Sequence, residues 1–266
     1  MLGKIVIILL IVCNFLALFG TNLEAAQDQL NIGAAASLQD VLKEVGESWV
    51  KSSGVTAKPT YNFAGTSTLI RQIKWGAPLD IFISAAREPA DEIIRIQLGI
   101  KKSLKSIASN RLVLVSSIEN KLQNISLEKI VKTANVKIAM CDIAVPIGFY
   151  AQNYLRHLGL FEQFKPKFVY TDHARSILGM VANKTTTYGF VYLTDAFSDS
   201  KRVKVIKEAS PKDHPPIEYL GLILTRSGKD LRNIANSYLD FLGSSQGQAI
   251  FSKHGFRGAG SQVAYQ

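Results

Sequence analysis

The sequence contains very little cysteine, and this excludes two kinds of site. Its cysteines are Cys13 and Cys141, and Cys13 lies in an apolar run near the N-terminus that we predict to be removed. The predicted mature chain would keep Cys141 alone, so it could form neither an intramolecular disulfide nor a cysteine metal cluster. Exported proteins can lack disulfides, so the scarcity of cysteine is compatible with export but is not evidence for it.

The sequence also lacks motifs that mark several enzyme classes. The hydroxyl-rich segment 65–69 has no second glycine and therefore does not match the Gly-x-Ser-x-Gly turn of serine hydrolases. We find no P-loop and no Gly-x-Gly-x-x-Gly motif. The histidines show no metal-ligand spacing; they are His157, His173, His214 and His254. We therefore predict a protein that is not an enzyme and that uses no cofactor.

Acidic residues are in the minority, with 21 Asp and Glu against 31 Lys and Arg, a formal net charge of +10. The basic residues are scattered along the chain and are not interleaved with aromatic residues. We interpret them as solvated surface rather than a nucleic-acid interface. The excess positive charge would still create a mild field that attracts small anions.

The N-terminus has the pattern of a signal peptide. Lys4 precedes an apolar run over 5–19, and small residues at Ala25 and Ala26 offer a cleavage site. The run is short for a membrane-spanning helix, which needs about 20 residues, so we favour removal over a retained anchor. A lipoprotein signal at Cys13 is disfavoured because Val12 before it is not small. We expect residues 1–26 to be cleaved and the mature protein to be periplasmic.

Patterns typical of strands and helices alternate along the rest of the chain. Residues 30–35 form a strand pattern, and apolar residues at helical spacing follow over 38–49. The stretch 112–115 is apolar on both faces, which is typical of a central parallel strand. The alternation predicts an α/β protein with mostly parallel sheets.

The number of strand patterns favours two lobes with a cleft between them. Natural crossing points lie before Leu112 and in the proline-containing stretch 211–216. We predict a first lobe made of 27–109 and 211–266 and a second lobe made of 110–210.

Four junctions between a strand pattern and a helix pattern have the composition of an anion site. They are Ser37, then Thr66 and Ser67, then Ile147 after Pro146, and Ala174 after His173. First-turn N–H groups of a helix have no intrahelical partner and favour negative charge. Ligands of open α/β sheets bind beyond the carboxyl ends of strands, where these junctions fall. The alternative for each hydroxyl is ordinary helix capping.

The same junctions carry a family resemblance that extends over nearly the whole predicted mature chain. The sequence resembles the periplasmic molybdate-binding proteins of ABC importers in its segments 34–38 (AAASL), 63–69 (FAGTSTL), 73–78 (IKWGAP), 80–85 (DIFISA), 145–151 (VPIGFYA), 189–196 (GFVYLTDA) and 247–256 (GQAIFSKHGF). The motifs occur in the family's order and spacing. Together they are specific, although each alone would be weak.

This resemblance implies a type II periplasmic binding protein with two α/β lobes, a ligand cleft and a tetrahedral dianion as ligand. The family's ligand groups fall on Ser37, Thr66 (with Ser67 as its neighbour), Ile147, Ala174 and Tyr192. Molybdenum would be bound only as the oxyanion, with no protein atom on the metal. Implied partners are molybdate or tungstate and a membrane permease, and we expect a monomer.

Three positions depart from the family pattern, and two other functions stay open. Thr66 stands where serine is frequent, Ile147 is bulkier than usual, and His173 stands where a neutral residue is common. His173 could be an ordinary loop residue or a positive charge near the ligand at low pH. A binding protein for sulfate, thiosulfate or phosphate is one alternative function. A non-transport sensor on the same fold is the other.

Overall fold

A computed structural model describes residues 29–121 and 125–259 of the chain. The predicted signal peptide, 1–26, lies outside the described residues. In chain order the strands are β1 (Gln29–Ala35), β2 (Lys58–Ala64), β3 (Ile81–Ser84), β4 (Lys105–Ser109), β5 (Leu112–Ser117), β6 (Ile138–Cys141), β7 (Phe168–Thr171), β8 (Tyr188–Tyr192), β9 (Val203–Glu208), β10 (Glu218–Ile223) and β11 (Arg257–Gly258). They form two sheets, ordered β11-β4-β10-β3-β1-β2 and β7-β6-β8-β5-β9.

Helices connect most of these strands. In chain order the α-helices are α1 (Gln39–Ser53), α2 (Thr66–Lys74), α3 (Arg87–Arg95), α4 (Leu127–Lys132), α5 (Pro146–His157), α6 (Phe161–Phe164), α7 (Ala174–Ala182), α8 (Leu193–Ser198), α9 (Lys229–Gly243) and α10 (Ser245–Lys253). Short 3₁₀-helices lie at Ala36–Leu38, Lys101–Ser103 and Lys165–Lys167. Within 29–121 and 125–259, no helix is both long and apolar enough to cross a membrane.

The α/β class is confirmed, but the expectation of mostly parallel sheets is wrong for part of each sheet. Strand β1 runs parallel to β2 and β3, and β6 runs parallel to β7 and β8. The other pairs are antiparallel, including both pairs made by β5. Strand β5 is buried and central, as its composition predicts. It runs antiparallel because it enters its sheet from the other sheet and not through a βα unit.

The two chain crossings lie side by side. The first joins β4 to β5 and the second joins β9 to β10. Asn110 N donates to Ile217 O at 3.4 Å, and Ala209 N donates to Leu112 O at 2.9 Å, so the two connecting segments are tied together. The lobe boundaries at 109/110 and 210/211 stay a prediction, and we use the term lobe for each sheet with its helices.

Helices cover both faces of the six-stranded sheet at its inner strands, and those strands are largely apolar for that reason. Strand β3 shows this most clearly: Ile81 and Ile83 pack with the core that includes Trp49, whereas Phe82 packs on the opposite face against Leu69 and Ile93. Successive side chains of a strand point to opposite faces, so a strand between two helix layers has no polar side. This packing holds the carboxyl ends of β1, β2 and β3 at one edge, where the candidate site lies.

Candidate functional site

A small cavity lies between the two lobes, at the carboxyl ends of strands from both sheets. Its volume is about 20 Å³. The lining residues are Ala35, Ala36, Ser37, Ala64, Gly65, Thr66, Ala85, Val145, Pro146, Ile147, His173, Ala174 and Tyr192. None of these residues is Lys, Arg, Asp or Glu. The polar side chains among these residues are the hydroxyls of Ser37, Thr66 and Tyr192 and the His173 ring.

The structure brings five of the six predicted site residues to this cavity. Ser37, Thr66, Ile147, Ala174 and Tyr192 all line it and are all buried. Ser67 is the exception, because its side chain does not line the cavity. Local motifs predicted the positions, whereas their convergence depends on how the two sheets face each other.

Ser37 is not a helix cap. It lies in the 3₁₀-helix Ala36–Leu38, for which no side chain caps the N-terminus. Its hydroxyl oxygen is 2.9 Å from the hydroxyl of Tyr219 on β10. Ordinary capping, the alternative considered from the sequence, therefore does not account for this serine.

The three consecutive hydroxyls at the start of α2 have three different environments. The residue that caps α2 is Gly65, which has no side chain to do so. Thr66 is buried against the cavity. The Ser67 hydroxyl donates to Ala144 O of the other lobe at 2.6 Å, and the Thr68 hydroxyl accepts from Arg71 at 3.0 Å. The Ser67 proton is thus used between the lobes, which removes its side chain from the expected ligand set.

The start of α5 depends on a close approach of backbone atoms. Pro146 occupies the first turn, so the amides of Ile147 and Gly148 are the first available donors. A Cβ on Gly148 would lie 2.1 Å from Asp142 O and 2.4 Å from Cys141 O. Only glycine allows this first turn to pack against the end of β6. The bulk of Ile147 is compatible with a site role because a backbone N–H is the group required.

His173 caps α7 through its side chain. The Nδ1 atom of His173 accepts from Ser176 N at 3.1 Å. The ring also lies near a carboxylate, with Nε2 3.7 Å from Asp172 Oδ1. The cap gives the loop histidine a specific structural role. Ala174, the first residue of α7, lines the cavity beside this cap.

Tyr192 presents a buried hydroxyl at the cavity. The hydroxyl makes no hydrogen bond to any other residue that the structure describes. Burial raises the pKa of Tyr192 well above its usual value, so the phenol keeps its proton. Tyr192 N donates to Asp195 Oδ2 at 3.3 Å, which fixes the backbone at this point. A buried donor of this kind suits a ligand that accepts hydrogen bonds.

The expectation that the sequence has no Gly-x-Ser-x-Gly pattern is wrong, because 243–247 (GSSQG) matches it with Ser245 as the central serine, but in the wrong setting. It joins α9 to α10, whereas a nucleophile turn joins a strand to a helix. Ser244 caps α10, its hydroxyl accepting from Gly247 N at 3.1 Å. The pattern is a helix–helix connection.

Residues 30–257 match a protein family described as bacterial extracellular solute-binding protein. The chain belongs to this family. Among curated relatives, YvgL of Bacillus subtilis is 31% identical over 231 residues, which is 85% of each chain. The Haemophilus influenzae protein named molybdate-binding protein ModA is 28% identical over 237 residues, 87% of this chain and 91% of that protein.

Solved structures show the same two-lobed fold for this solute-binding protein. The Azotobacter vinelandii periplasmic molybdate-binding protein matches with a TM-score of 0.74 at 18% identity, over 85% of this chain and 98% of that one. The Mycobacterium tuberculosis sulfate-binding protein SubI also matches with a TM-score of 0.74, at 11% identity and 88% of each chain. The fold is thus shared by proteins named for different oxyanions and does not by itself decide the ligand.

Side chains join the two lobes of this solute-binding protein around the cavity, and sequence reasoning missed them. Arg175 of α7 contacts Asp40 of the first lobe at 2.5 Å and lies 2.8 Å from the buried Asp195. Burial raises the pKa of Asp195 to about 6, against the opposing effect of Arg175. Tyr150 donates to Ala85 O across the cleft at 3.2 Å. Asp195 and Tyr150 lie within resemblance motifs, the one available signal, but the partners are distant in sequence.

Proposed function

We propose that this protein captures molybdate, and tungstate with it, and delivers the anion to the membrane permease of an ABC importer. The observation that carries the proposal is the cavity lined by Ser37, Thr66, Ile147, Ala174 and Tyr192 without any charged carboxylate or ammonium group. Relatives named as molybdate-binding proteins support it, among them ModA of Haemophilus influenzae and of Escherichia coli. The sequence motifs around the cavity point the same way.

The chemistry of the ligand explains why neutral groups suffice. Molybdate is a dianion with four oxygens and no proton at neutral pH, so it only accepts hydrogen bonds. Hydrogen bonds to a charged acceptor are about twice as strong as those between neutral groups. The first turns of α2, α5 and α7 add amide donors and the positive ends of their helix dipoles. The cavity offers hydroxyl and amide donors and needs no cation.

Size has to separate molybdate from sulfate, because sulfate is also an unprotonated dianion. The longer metal–oxygen bonds of molybdate should reach donors on both lobes, and sulfate should fall short of some of them. Tungstate has nearly the same size as molybdate, so we expect it to bind as well. Sulfate and thiosulfate are therefore the critical competitors.

Closure of the lobes follows from this arrangement. Ser37 and Thr66 belong to one lobe, and Ile147, Ala174 and Tyr192 belong to the other, so a bound anion bridges them. A ligand that contacts both lobes favours the closed state by its differential affinity for that state. In our proposal the permease recognises the closed form of a monomeric, periplasmic protein whose signal peptide has been cleaved.

Titration calorimetry of the mature protein tests the proposal. We expect tight binding of sodium molybdate and sodium tungstate and no comparable heat with sulfate, thiosulfate or phosphate. Tight binding of sulfate or thiosulfate instead would assign the protein to a different oxyanion. Silence with all five anions would contradict the proposal and favour a sensor or interaction protein on the same fold.

A further inference from the structure

A chain of buried hydrogen bonds lies behind Ser37, outside the cavity. The Ser37 hydroxyl is 2.9 Å from the hydroxyl of Tyr219. The Nδ2 amide of Asn110 donates to the Tyr219 hydroxyl at 3.2 Å and to the Thr194 hydroxyl at 2.9 Å. Tyr219 is fully buried and does not line the cavity. This chain of hydrogen bonds therefore runs from the first crossing between the lobes to the edge of the candidate site.

The orientation of Asn110 fixes the direction of this chain. Arg111 N donates to Asn110 Oδ1 at 2.8 Å, so the oxygen side of the amide is identified and Nδ2 faces Tyr219. An amide nitrogen donates and cannot accept. The Tyr219 oxygen must therefore accept from Asn110, and its own proton is available to the Ser37 oxygen. Burial raises the pKa of Tyr219, so that proton stays in place.

The Ser37 hydroxyl has one proton, and the hydrogen bonds behind it leave that proton to be donated toward the cavity. The Tyr219 proton needs an acceptor, and the Ser37 oxygen is the partner recorded for that hydroxyl besides the donating Asn110 amide, so we assign Tyr219 as the donor to Ser37, which leaves the Ser37 proton for the cavity. A free serine hydroxyl could rotate and offer a lone pair instead. The Ser37 hydroxyl therefore acts as a hydrogen-bond donor toward the ligand, although a serine hydroxyl can in general donate or accept.

We propose that Asn110 and Tyr219 are positioning residues that hold the Ser37 hydroxyl as a proton donor and so select unprotonated oxyanions over protonated ones. This inference rests on the proposed function. An oxyanion that carries a proton, such as hydrogen phosphate, needs an acceptor in the site, and a Ser37 with fixed direction does not supply one. A buried donor without a partner is costly, so the fixed direction acts against such ligands.

Two variants change which groups donate and which accept in these hydrogen bonds. Tyr219→Phe removes the donor to Ser37 and keeps the ring that packs against Tyr192 and Phe256 at centroid distances of 5.8 and 5.5 Å. Asn110→Asp places an acceptor where the amide donates, so Tyr219 would donate to the new carboxylate and Ser37 would donate to Tyr219. The Ser37 lone pair would then face the ligand.

The experiment is titration of each protein with sodium molybdate, alone and in competition with phosphate, in alkaline buffer where phosphate is the hydrogen phosphate dianion. The two ligands then carry the same charge, so repulsion from the carboxylate that Asn110→Asp introduces acts on both. For Tyr219→Phe we expect molybdate affinity to fall about tenfold, and for Asn110→Asp about a hundredfold. In both variants phosphate should compete better relative to molybdate than it does in the wild type.

A matched control is Tyr238→Phe, which removes another buried tyrosine hydroxyl of the same lobe. That hydroxyl contacts Tyr61 at 3.0 Å and not the site, so affinity and competition should stay at wild-type values. The inference is overturned if Tyr219→Phe keeps both the molybdate affinity and the phosphate competition of the wild type. A wild-type protein that does not bind molybdate would instead contradict the proposed function. Should Asn110→Asp not fold, Tyr219→Phe decides the question.

Discussion

At the scale of single residues, Tyr192 separates a role in binding from a role in stability. Its buried hydroxyl bonds to no other described residue, so removing it takes no hydrogen bond from the ligand-free protein. For Tyr192→Phe we expect molybdate affinity to fall about ten- to hundredfold, since a hydrogen bond to a charged group contributes roughly 1.5–3 kcal/mol. The free energy of unfolding without ligand should be unchanged or higher. Calorimetry and denaturant unfolding measure the two quantities.

Tyr238→Phe should show the reverse pattern. Tyr238 shares its hydroxyl with Tyr61, so the variant should lower the free energy of unfolding by about 1 kcal/mol and leave the affinity unchanged. If Tyr192→Phe destabilised the ligand-free protein and bound molybdate normally, Tyr192 would be a structural residue and not a ligand group.

Residue identities near the cavity could be predicted from sequence to different extents. Ser37 lies at a strand–helix junction that the local pattern marks, whereas Tyr192 was selected only through the family resemblance of segment 189–196. Asn110 and Tyr219 lie 109 residues apart and meet only because the two crossings are adjacent. Strand patterns report which residues are apolar, but not which distant strand supplies a hydroxyl. The support behind the site was therefore beyond sequence reasoning.

At the scale of elements, the first turn of α2 carries two neighbouring hydroxyls in different environments. Thr66 is buried at the cavity, whereas the Ser67 hydroxyl donates to Ala144 O. We expect Thr66→Ala to lower molybdate affinity about ten- to hundredfold. Ser67→Ala should lower it less than about tenfold, because it removes one exposed bond between neutral groups. Calorimetry of the two variants side by side checks the order, and a larger loss for Ser67→Ala would contradict the assignment of Thr66.

Element type was easier to predict than element pairing. The helix starts at Thr66, Pro146 and Ala174 follow from proline and hydroxyl positions and from apolar spacing, which are local signals. The direction of β5 does not follow from local signals, because a strand that is apolar on both faces fits a parallel or an antiparallel neighbour equally well. Strand β4 directly precedes the first crossing and was not among the predicted strands, since its apolar pattern is short and only Ile107 and Ala108 of its residues are buried.

At the scale of the whole molecule, the closed arrangement depends on how near the lobes can come at Gly65. A Cβ on Gly65 would lie 2.6 Å from Asp172 O of the other lobe, a backbone atom that cannot rotate away. The backbone angles of Gly65 are ordinary for alanine, with φ −61° and ψ 139°. Gly65→Ala should therefore leave the ligand-free protein stable and hinder closure. Overpacking costs about 1–3 kcal/mol, so molybdate affinity should fall about five- to hundredfold.

Gly228→Ala provides the matched control, because Gly228 also precedes a helix with similar angles, φ −63° and ψ 168°. Apart from its chain neighbours, no described residue has an atom within 4 Å of the added Cβ. Small-angle scattering with and without molybdate should show compaction of the wild type and of Gly228→Ala, and less compaction of Gly65→Ala. Equal compaction and equal affinity in all three proteins would mean that the contact between Gly65 and Asp172 is not part of the bound state. Weaker binding and less compaction of Gly65→Ala alone would establish closure of the lobes as a determinant of affinity, because this variant leaves every hydroxyl donor in place.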